Sequence, residues 1–295
     1  MMLYTEISHC RNCSSDRLEI MLDLGLLAIS DFLLPGEVDD HAPLVLLQCA
    51  DCSLVQLQHT VDRDRLYRDY YYRSGTNESM VAALKDVVED ACRHTALSPD
   101  DVVMDIGSND CTLLRMYPDN IYKLGFEPSD IPQKSDVPQR GYIHRKFFPP
   151  PSVVPPPCKI ITSCAMFYDL DDPNEFVAAI KGWLHPDGIW IVQMPSLDQM
   201  LGQNAFDNIC HEHLTYWSIH PLLQLANRHG LEIAAISTNT VNGGSTRYIF
   251  RHAEVKRSEV KAKWLLPSLD QMLGQRHHHM IVFRDNIERL RDETV

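Results

Sequence analysis

The chain has little that would commit it to a membrane, to nucleic acid or to export. Its 295 residues hold no run of about 18 apolar residues, the length a membrane-spanning helix needs. The N-terminal MMLYTEISHC lacks a basic stretch followed by an apolar core, so no secretory signal is expected and the cytoplasm is the expected location. Basic residues are scarce: 27 Lys and Arg stand against 40 Asp and Glu, a formal net charge of -13. A nucleic-acid binder needs a basic face to displace counterions from phosphates. The first 60 residues carry only Arg11 and Arg17 against nine acidic side chains, so the deficit falls on the segment most easily mistaken for a nucleic-acid-binding zinc finger. What is present, 44% hydrophobic and 23% charged residues, is the composition of a globular protein with one large domain or two ordinary ones.

Cysteine is plentiful, with nine residues. In a reducing compartment they are thiols or metal ligands rather than disulfides. Four form two C-x-x-C pairs, Cys10–Cys13 and Cys49–Cys52. Each pair places two thiolates on one tight turn, and two such turns complete a tetrahedral set of sulfurs around zinc. Four sulfurs leave no open position, so the zinc is expected to be structural. The 35 residues between the pairs include strand-like LEIML and PLVLLQC separated by the loop LPGEVDDHAP, the pattern of a zinc-stapled β unit. A redox C-x-x-C expects a thioredoxin-like strand and helix around it, and none is evident.

Beyond this unit the tyrosine-rich LYRDYYYRSGTNESM leads into a helical stretch, SMVAALKDVVEDACRH, with Thr76 or Asn77 as its cap. The chain then alternates. DVVMDIGSND is a strand entering a turn, CTLLRMY a helix, IYKLGFEPSD a second strand, YIHRKFF a third and CKIITSCAMF a fourth. The helix DPNEFVAAIKGWL and a fifth strand, GIWIVQMP, complete the series. Such alternation predicts a parallel sheet with helices on both faces and a ligand beyond the carboxyl ends of the strands. Gly107 would let a ligand approach the backbone there. Asp105 would fix an amino or hydroxyl group, and Glu127, at the end of the second strand, would accept from a ribose diol. The turn is not G-x-G-x-x-G, so a dinucleotide is not indicated.

DNICHEHLTYWS (207–218) holds two histidines around a glutamate. If extended, it turns His211 and His213 to one side and Glu212 to the other. It reads as acid–base groups, as two ligands of a three-ligand metal site, or as a polar loop before a helix starting near His220 and Pro221. NGGSTR reads as a turn whose amides at Asn242, Gly243, Gly244 and Ser245, with Arg247, suit a diphosphate, or equally as a β-turn into TRYIF.

Together the paired C-x-x-C, YYYRSGTNESM, DIGSND, GFEPS, AMFYDLDDP, HEHLTYWS and NGGSTR resemble, in order and spacing, the sugar C-methyltransferases of deoxysugar pathways over residues 1 to about 252. These enzymes use S-adenosylmethionine (SAM) and nucleotide-linked keto sugars. The resemblance implies an α/β class I (Rossmann-like) methyltransferase sheet behind a small N-terminal zinc-binding β domain. Its cofactor contacts would come from Asp105, Gly107, Ser108, Asn109, Glu127 and Pro128. Its catalytic side chains would be Glu212 and His213 with Tyr72 or Tyr70, and His211 beside them. Carbon methylation next to a ketone needs a base and a stabiliser for the enolate oxygen. His213 is the expected base, Tyr72 the enolate donor and Glu212 the orienting group. An O- or N-methyltransferase and a non-catalytic binding protein on the same fold are the rival expectations, and neither nucleic acid nor membrane is an expected partner.

The chain departs from its relatives at Cys210, where many have tyrosine, and at Cys111, where glycine is usual and a side chain should crowd the helix start. The relatives usually continue into a C-terminal α/β domain. The expected organisation is therefore a zinc-binding domain at 1–66, a methyltransferase domain at 67–252, and a helical tail or domain stump at 253–295. PSLDQMLGQ occurs at 195–203 and again at 267–275, a local duplication expected to be helical in both places, and His277–His279 beside it reads as a solvated patch.

Overall fold

The computed structural model describes residues 3–29, 36, 38–67, 71–150, 156–253 and 269–294. The N-terminal part starts with β1 (Tyr4–Glu6), β2 (Leu18–Ala28), β3 (His41–Cys49), β4 (Val55–Leu57) and β5 (His59–Val61). β3 pairs antiparallel with β2 and β4, while β1 pairs with β5. β3 has the near-continuous apolar run of a strand covered on both faces, with Leu44, Val45, Leu46 and Leu47 all buried. Residues 34, 35 and 37 of the LPGEVDDHAP loop lie outside the described residues, and its last three residues already belong to β3.

A short helix, α1 (Arg63–Tyr67), leads to α2 (Glu78–His94). Asn77 is the α2 cap; its side chain accepts from the Ser79 amide. Next come β6 (Val102–Ile106), β7 (Tyr122–Phe126), β8 (Gly141–His144), β9 (Cys158–Cys164), α3 (Pro173–Trp183) and β10 (Leu184–Pro195). They are followed by α4 (Leu197–Gln203), β11 (Thr215–Tyr216), α5 (Ile219–Arg228), β12 (Leu231–Asn239), β13 (Ser245–His252) and α6 (Leu269–Thr294).

The main sheet runs β12-β13-β10-β9-β6-β7-β8. The pairs from β10 to β8 are parallel, whereas β13 lies antiparallel to both β10 and β12. That order, with its single reversed strand, is the class I methyltransferase sheet the resemblance implies. A buried aromatic layer supports it: Trp190 stacks on Phe250 at 4.8 Å, and Phe167 meets Phe176, Trp190 and Trp217 edge-on or tilted within 5.7 Å. Burying one such ring contributes about 1.5–3 kcal/mol.

The expected helix over 111–117 is instead one 3-10 turn, Leu114–Met116. Two causes act at its ends. Cys111 takes a left-handed φ of +62°, a conformation that withholds it from a helix, and Pro118 pushes Tyr117 into extended backbone. The Cys111 side chain does not crowd a ligand. It is fully buried in the cluster under α2, beside Val87, Val88 and Ala91.

Two elements tie the halves together. β11 joins the N-terminal sheet by pairing with β4, so the chain just after HEH completes the zinc-binding unit. α6 packs Met280, Phe283 and Ile287 against a cluster containing α4 residues Leu197 and Met200 and β2 residues Met21 and Leu22. The first PSLDQMLGQ copy ends β10 and forms α4, capped by Ser196. Residues 269–275 of the second copy are helical backbone in α6. Its Pro267 and Ser268, and the side chains of His277 and His278, lie outside the description, while His279 is exposed.

Candidate active site and zinc centre

The four paired cysteines converge: their sulfurs all lie within 4.8 Å of one another, with Cys10–Cys52 and Cys13–Cys49 each at 3.5 Å. A tetrahedron of thiolates about 2.3 Å from zinc sets its sulfurs about 3.8 Å apart, so the cluster fits the metal. Among the described residues no other group of three or more His, Cys, Asp or Glu side chains converges in this way, and HEH is no part of one. Three cysteines are buried, which suits a closed structural site.

The turn between the first two cysteines is also a docking device. The buried Arg11 guanidinium donates to Leu57 O at 2.6 Å and Thr60 Oγ1 at 2.7 Å, and pairs with Asp171 at 3.2 Å. Asn12 donates to Pro221 O, and its own carbonyl accepts from Asn174 and from Arg228. Zinc therefore holds the loop that joins the N-terminal unit to α3 and α5.

A cavity of about 630 Å³ opens between the two units. One wall is the carboxyl end of the sheet: Ile106, Gly107, Asn109, Phe126, Glu127, Pro128 and Met166. Gly107 has φ +73°, and a Cβ there would meet Met166 Cγ at 3.2 Å, so glycine keeps the backbone open to a ligand. Glu127 is held by three donors, the Asn109 amide at 2.8 Å, the Ser129 amide at 3.0 Å and Ser129 Oγ at 2.6 Å. The turn in turn grips the tyrosine-rich segment. Asn109 Nδ2 donates to Tyr72 O, Asn109 Oδ1 accepts from the Ser74 amide, and Asp110 accepts from the Gly75 amide at 2.9 Å. A Cβ on Gly75 would lie 2.9 Å from Asp110 Oδ2, so this close approach requires glycine. Tyr72 thereby lines the cavity, whereas Tyr70 lies outside the described residues.

Two expected cofactor contacts sit beneath the turn rather than on it. Asp105 does not line the cavity; it is buried and accepts from Thr162 Oγ1 at 2.5 Å. Burial pushes its carboxyl up to about 8, against the pull of the Thr162 hydrogen bond and with the Glu127 charge adding to the rise. Ser108 is likewise buried, and its hydroxyl has no hydrogen-bond partner among the described residues.

The HEH segment also differs from expectation. It is a turn rather than a strand, with the His213 amide bonded to Cys210 O, so the two histidines diverge. His211 is buried and its Nε2 meets Ala42 O of β3 at 3.0 Å. His213 Nδ1 meets Asn208 O at 2.8 Å, and its ring packs edge-on to Tyr168 at 4.3 Å. It lines a separate cavity of about 10 Å³ and not the large one. Burial pushes both histidines below their usual value, which leaves them neutral at pH 7. Glu212 is the member of the segment that lines the large cavity.

Asp169 and Tyr67 face the same space. Neither was singled out in the sequence, although Asp169 lies in AMFYDLDDP and Tyr67 opens the tyrosine-rich run.

Asn242, Gly243, Gly244 and Ser245 form a turn away from the cavity, and Arg247 is structural. Its buried guanidinium pairs with Asp86 at 2.7 Å and Asp90 at 2.9 Å and meets Gln193 Oε1 at 2.8 Å. A group so saturated has no donor left for a diphosphate.

Residues 77–236 match the family described as "Methyltransferase domain", and residues 10–67 the one described as "Putative zinc binding domain". Over 280 residues the chain is 26% identical to the C-methyltransferase NovU of Streptomyces niveus. The match covers 91% of this chain, which spans 65% of the length of that curated relative. It agrees with the resemblance to sugar C-methyltransferases. Among solved structures, magnesium protoporphyrin IX methyltransferase of Synechocystis, with bound S-adenosylhomocysteine (SAH), is 10% identical at a TM-score of 0.47, covering 64% of this chain and 91% of its own. CalO1, a methyltransferase of calicheamicin biosynthesis in its SAH-bound form, is 12% identical at a TM-score of 0.46, covering 59% of this chain and 55% of its own. With the methyltransferase match extending over more than half of its residues, behind a converged set of four cysteines, the chain belongs to the methyltransferase family and carries a zinc-binding domain ahead of its methyltransferase domain.

Proposed function

We propose that the protein transfers a methyl group from SAM to a carbon beside the ketone of a nucleotide-linked keto sugar, with Glu212 as the base. One observation carries the reading: a single cavity joins the Gly107–Asn109–Glu127 wall to Tyr72 and Glu212. The first wall suits the nucleoside of SAM, with Glu127 accepting from the ribose diol. Carboxylates outnumber the lining cations Arg63 and Lys146, a balance that favours a sulfonium. When bound, SAM supplies an electrophilic methyl group.

The chain's own residues would do the rest. The Glu212 carboxylate takes the α-proton, and the electron pair of the broken C–H bond moves onto the carbonyl as an enolate. The Tyr72 hydroxyl is a donor available to that oxygen. His213 was the expected base, but its placement outside the cavity favours Glu212. The C-methyl chemistry printed for NovU supports the carbon acceptor.

Titration of the zinc-loaded protein with SAM tests the cofactor half. Micromolar binding that weakens about 10- to 100-fold in Glu127→Ala is expected, the loss of hydrogen bonds to a charged acceptor. Incubation with nucleotide-linked keto sugars and mass detection of the added methyl tests the rest. Methylation of a hydroxyl or amine in place of carbon would favour an O- or N-methyltransferase, and no binding at millimolar SAM would sink the enzyme reading.

A further inference from the structure

The cavity contains a carboxyl group that the base and cofactor roles leave unused. Asp169 ends the 3-10 turn Phe167–Asp169, between β9 and α3. This turn is rigidly seated: Phe167 is locked in the aromatic layer, and Thr215 Oγ1 of β11 donates to Tyr168 O at 3.0 Å. Asp169 lines the cavity with Glu212, yet its Oδ1 is shut off from solvent and has no hydrogen-bond partner among the described residues. A buried oxygen left unmatched costs roughly 1–3 kcal/mol, and such groups recur where a ligand completes the bonding.

The groups acting on Asp169 are Glu212 and Cys210 on the loop between α4 and β11, Tyr67 on α1 and Tyr216 on β11. None is a cation. Tyr67 adjoins Asp169, and its hydroxyl donates to Glu212 O at 3.4 Å, so it spans the two acidic residues.

We propose that Asp169 acts as a proton-bearing carboxylic acid that donates a hydrogen bond to the acceptor's carbonyl oxygen while Glu212 removes the α-proton. The inference rests on the keto-acceptor reading. The balance closes within the substrate: the C–H bond breaks, its proton goes to Glu212, its electron pair forms the enolate, and Asp169 keeps its proton while stabilising the oxygen. Burial, with the Glu212 charge adding to it, pushes the Asp169 carboxyl up, the direction that favours its acid form. Two carboxyl groups in one site divide their roles when their surroundings separate their proton affinities.

Two measurements on the zinc-loaded full chain test this. Infrared difference spectra of wild type and Asp169→Asn need no acceptor. A protonated-carboxyl carbonyl stretch present at neutral pH in wild type and lost in the variant is expected, and its absence overturns the proposal. The second is exchange of the acceptor's α-hydrogen with deuterated water, using a nucleotide-linked keto sugar and SAH. Asp169→Ala should slow exchange about 10²–10³-fold, the cost of one oxyanion donor, while Asp169→Asn, which keeps a donor, stays within about tenfold of wild type. The wild-type rate should fall as rising pH strips the Asp169 proton, and this alkaline limb should vanish in Asp169→Asn. An unchanged limb, or Ala and Asn variants that exchange alike, overturns the donor role. The infrared band without any exchange in wild type overturns the keto-acceptor reading, and the donation to a carbonyl falls with it. Thermal melts of both variants separate a folding defect from either result.

Discussion

Asp105 shows how one buried carboxyl ties stability to pH. Its proton affinity is raised to about 8 in the fold, against about 3.9 in an unfolded chain. Between those values the folded state holds a proton that the unfolded state has released, so stability falls as pH rises through the window. The contribution is fully present below about pH 4 and lost above about pH 8. Asp105→Asn cannot ionise and keeps an oxygen for Thr162. Its melting temperature relative to wild type should therefore climb from pH 5 to pH 8, by the equivalent of a few kcal/mol. Parallel wild-type and variant curves across that range would show that Asp105 is already ionised in the fold at pH 5, and that burial does not raise its proton affinity. The same residue marks what single positions reveal in the sequence. That Gly107 and Glu127 line a cavity was legible because a parallel sheet puts its strand ends at the ligand, while Asn109 followed from the resemblance. Whether a residue at the end of β6 faces the cavity or the core was not legible, and Asp105 and Ser108 face the core. HEH misled for a related reason. Alternation assumes an extended chain, and a hydrogen bond from His213 N to Cys210 O folds the segment instead.

At the scale of elements, periodicity and breakers located the five parallel strands β6 to β10 and the helices α2, α3 and α5, but not β12. It failed at 111–117, where too few residues lie between a left-handed Cys111 and Pro118 to close a helix. It also failed at NGGSTR, since composition cannot tell a free arginine from one committed elsewhere. Arg247 clamps α2 to β10 and β13 through Asp86, Asp90 and Gln193. Arg247→Ala would take the buried cation from Asp86 and Asp90, leaving Asp90 only the helix-surface partners Arg93 and His94, and should cost about 1–3 kcal/mol, since hydrogen bonds to charged groups are lost. At roughly 2–4 °C per kcal/mol, the melting temperature should drop by several degrees. Below that temperature the acceptor KM should hold. A KM raised tens of fold with an unchanged melting temperature would restore Arg247 as a phosphate ligand.

For the whole molecule, the N-terminal unit is a wall of the site rather than an appendage. Tyr4, Thr60 and Arg63 line the same cavity as Gly107 and Glu127, and β11, just after HEH, is a strand of the N-terminal sheet. This interleaving was hidden in the sequence because it depends on pairings between segments about 160 residues apart, Thr215 with Gln56 and Tyr216 with Val55. On the proposed reading, zinc would act on the reaction through the Cys10–Cys13 turn. Without it the segment loses the metal's folding energy, and with it the fixed geometry of Arg11 and Asn12. Arg11 holds Thr60 and Asp171 together, and Asn12 holds α5, so the N-terminal wall should loosen as one piece. The wall proposed for SAM is built on β6 and β7 and keeps its own hydrogen bonds at Asn109, Glu127 and Ser129. Chelation, or Cys49→Ser, should therefore lower the melting temperature and abolish methyl transfer while changing SAM affinity less than about tenfold. Calorimetry with SAM and a turnover assay on the same zinc-free sample decide it. Joint loss of both activities would mean that zinc supports the entire fold, and survival of turnover would mean that the N-terminal wall contributes nothing to the reaction.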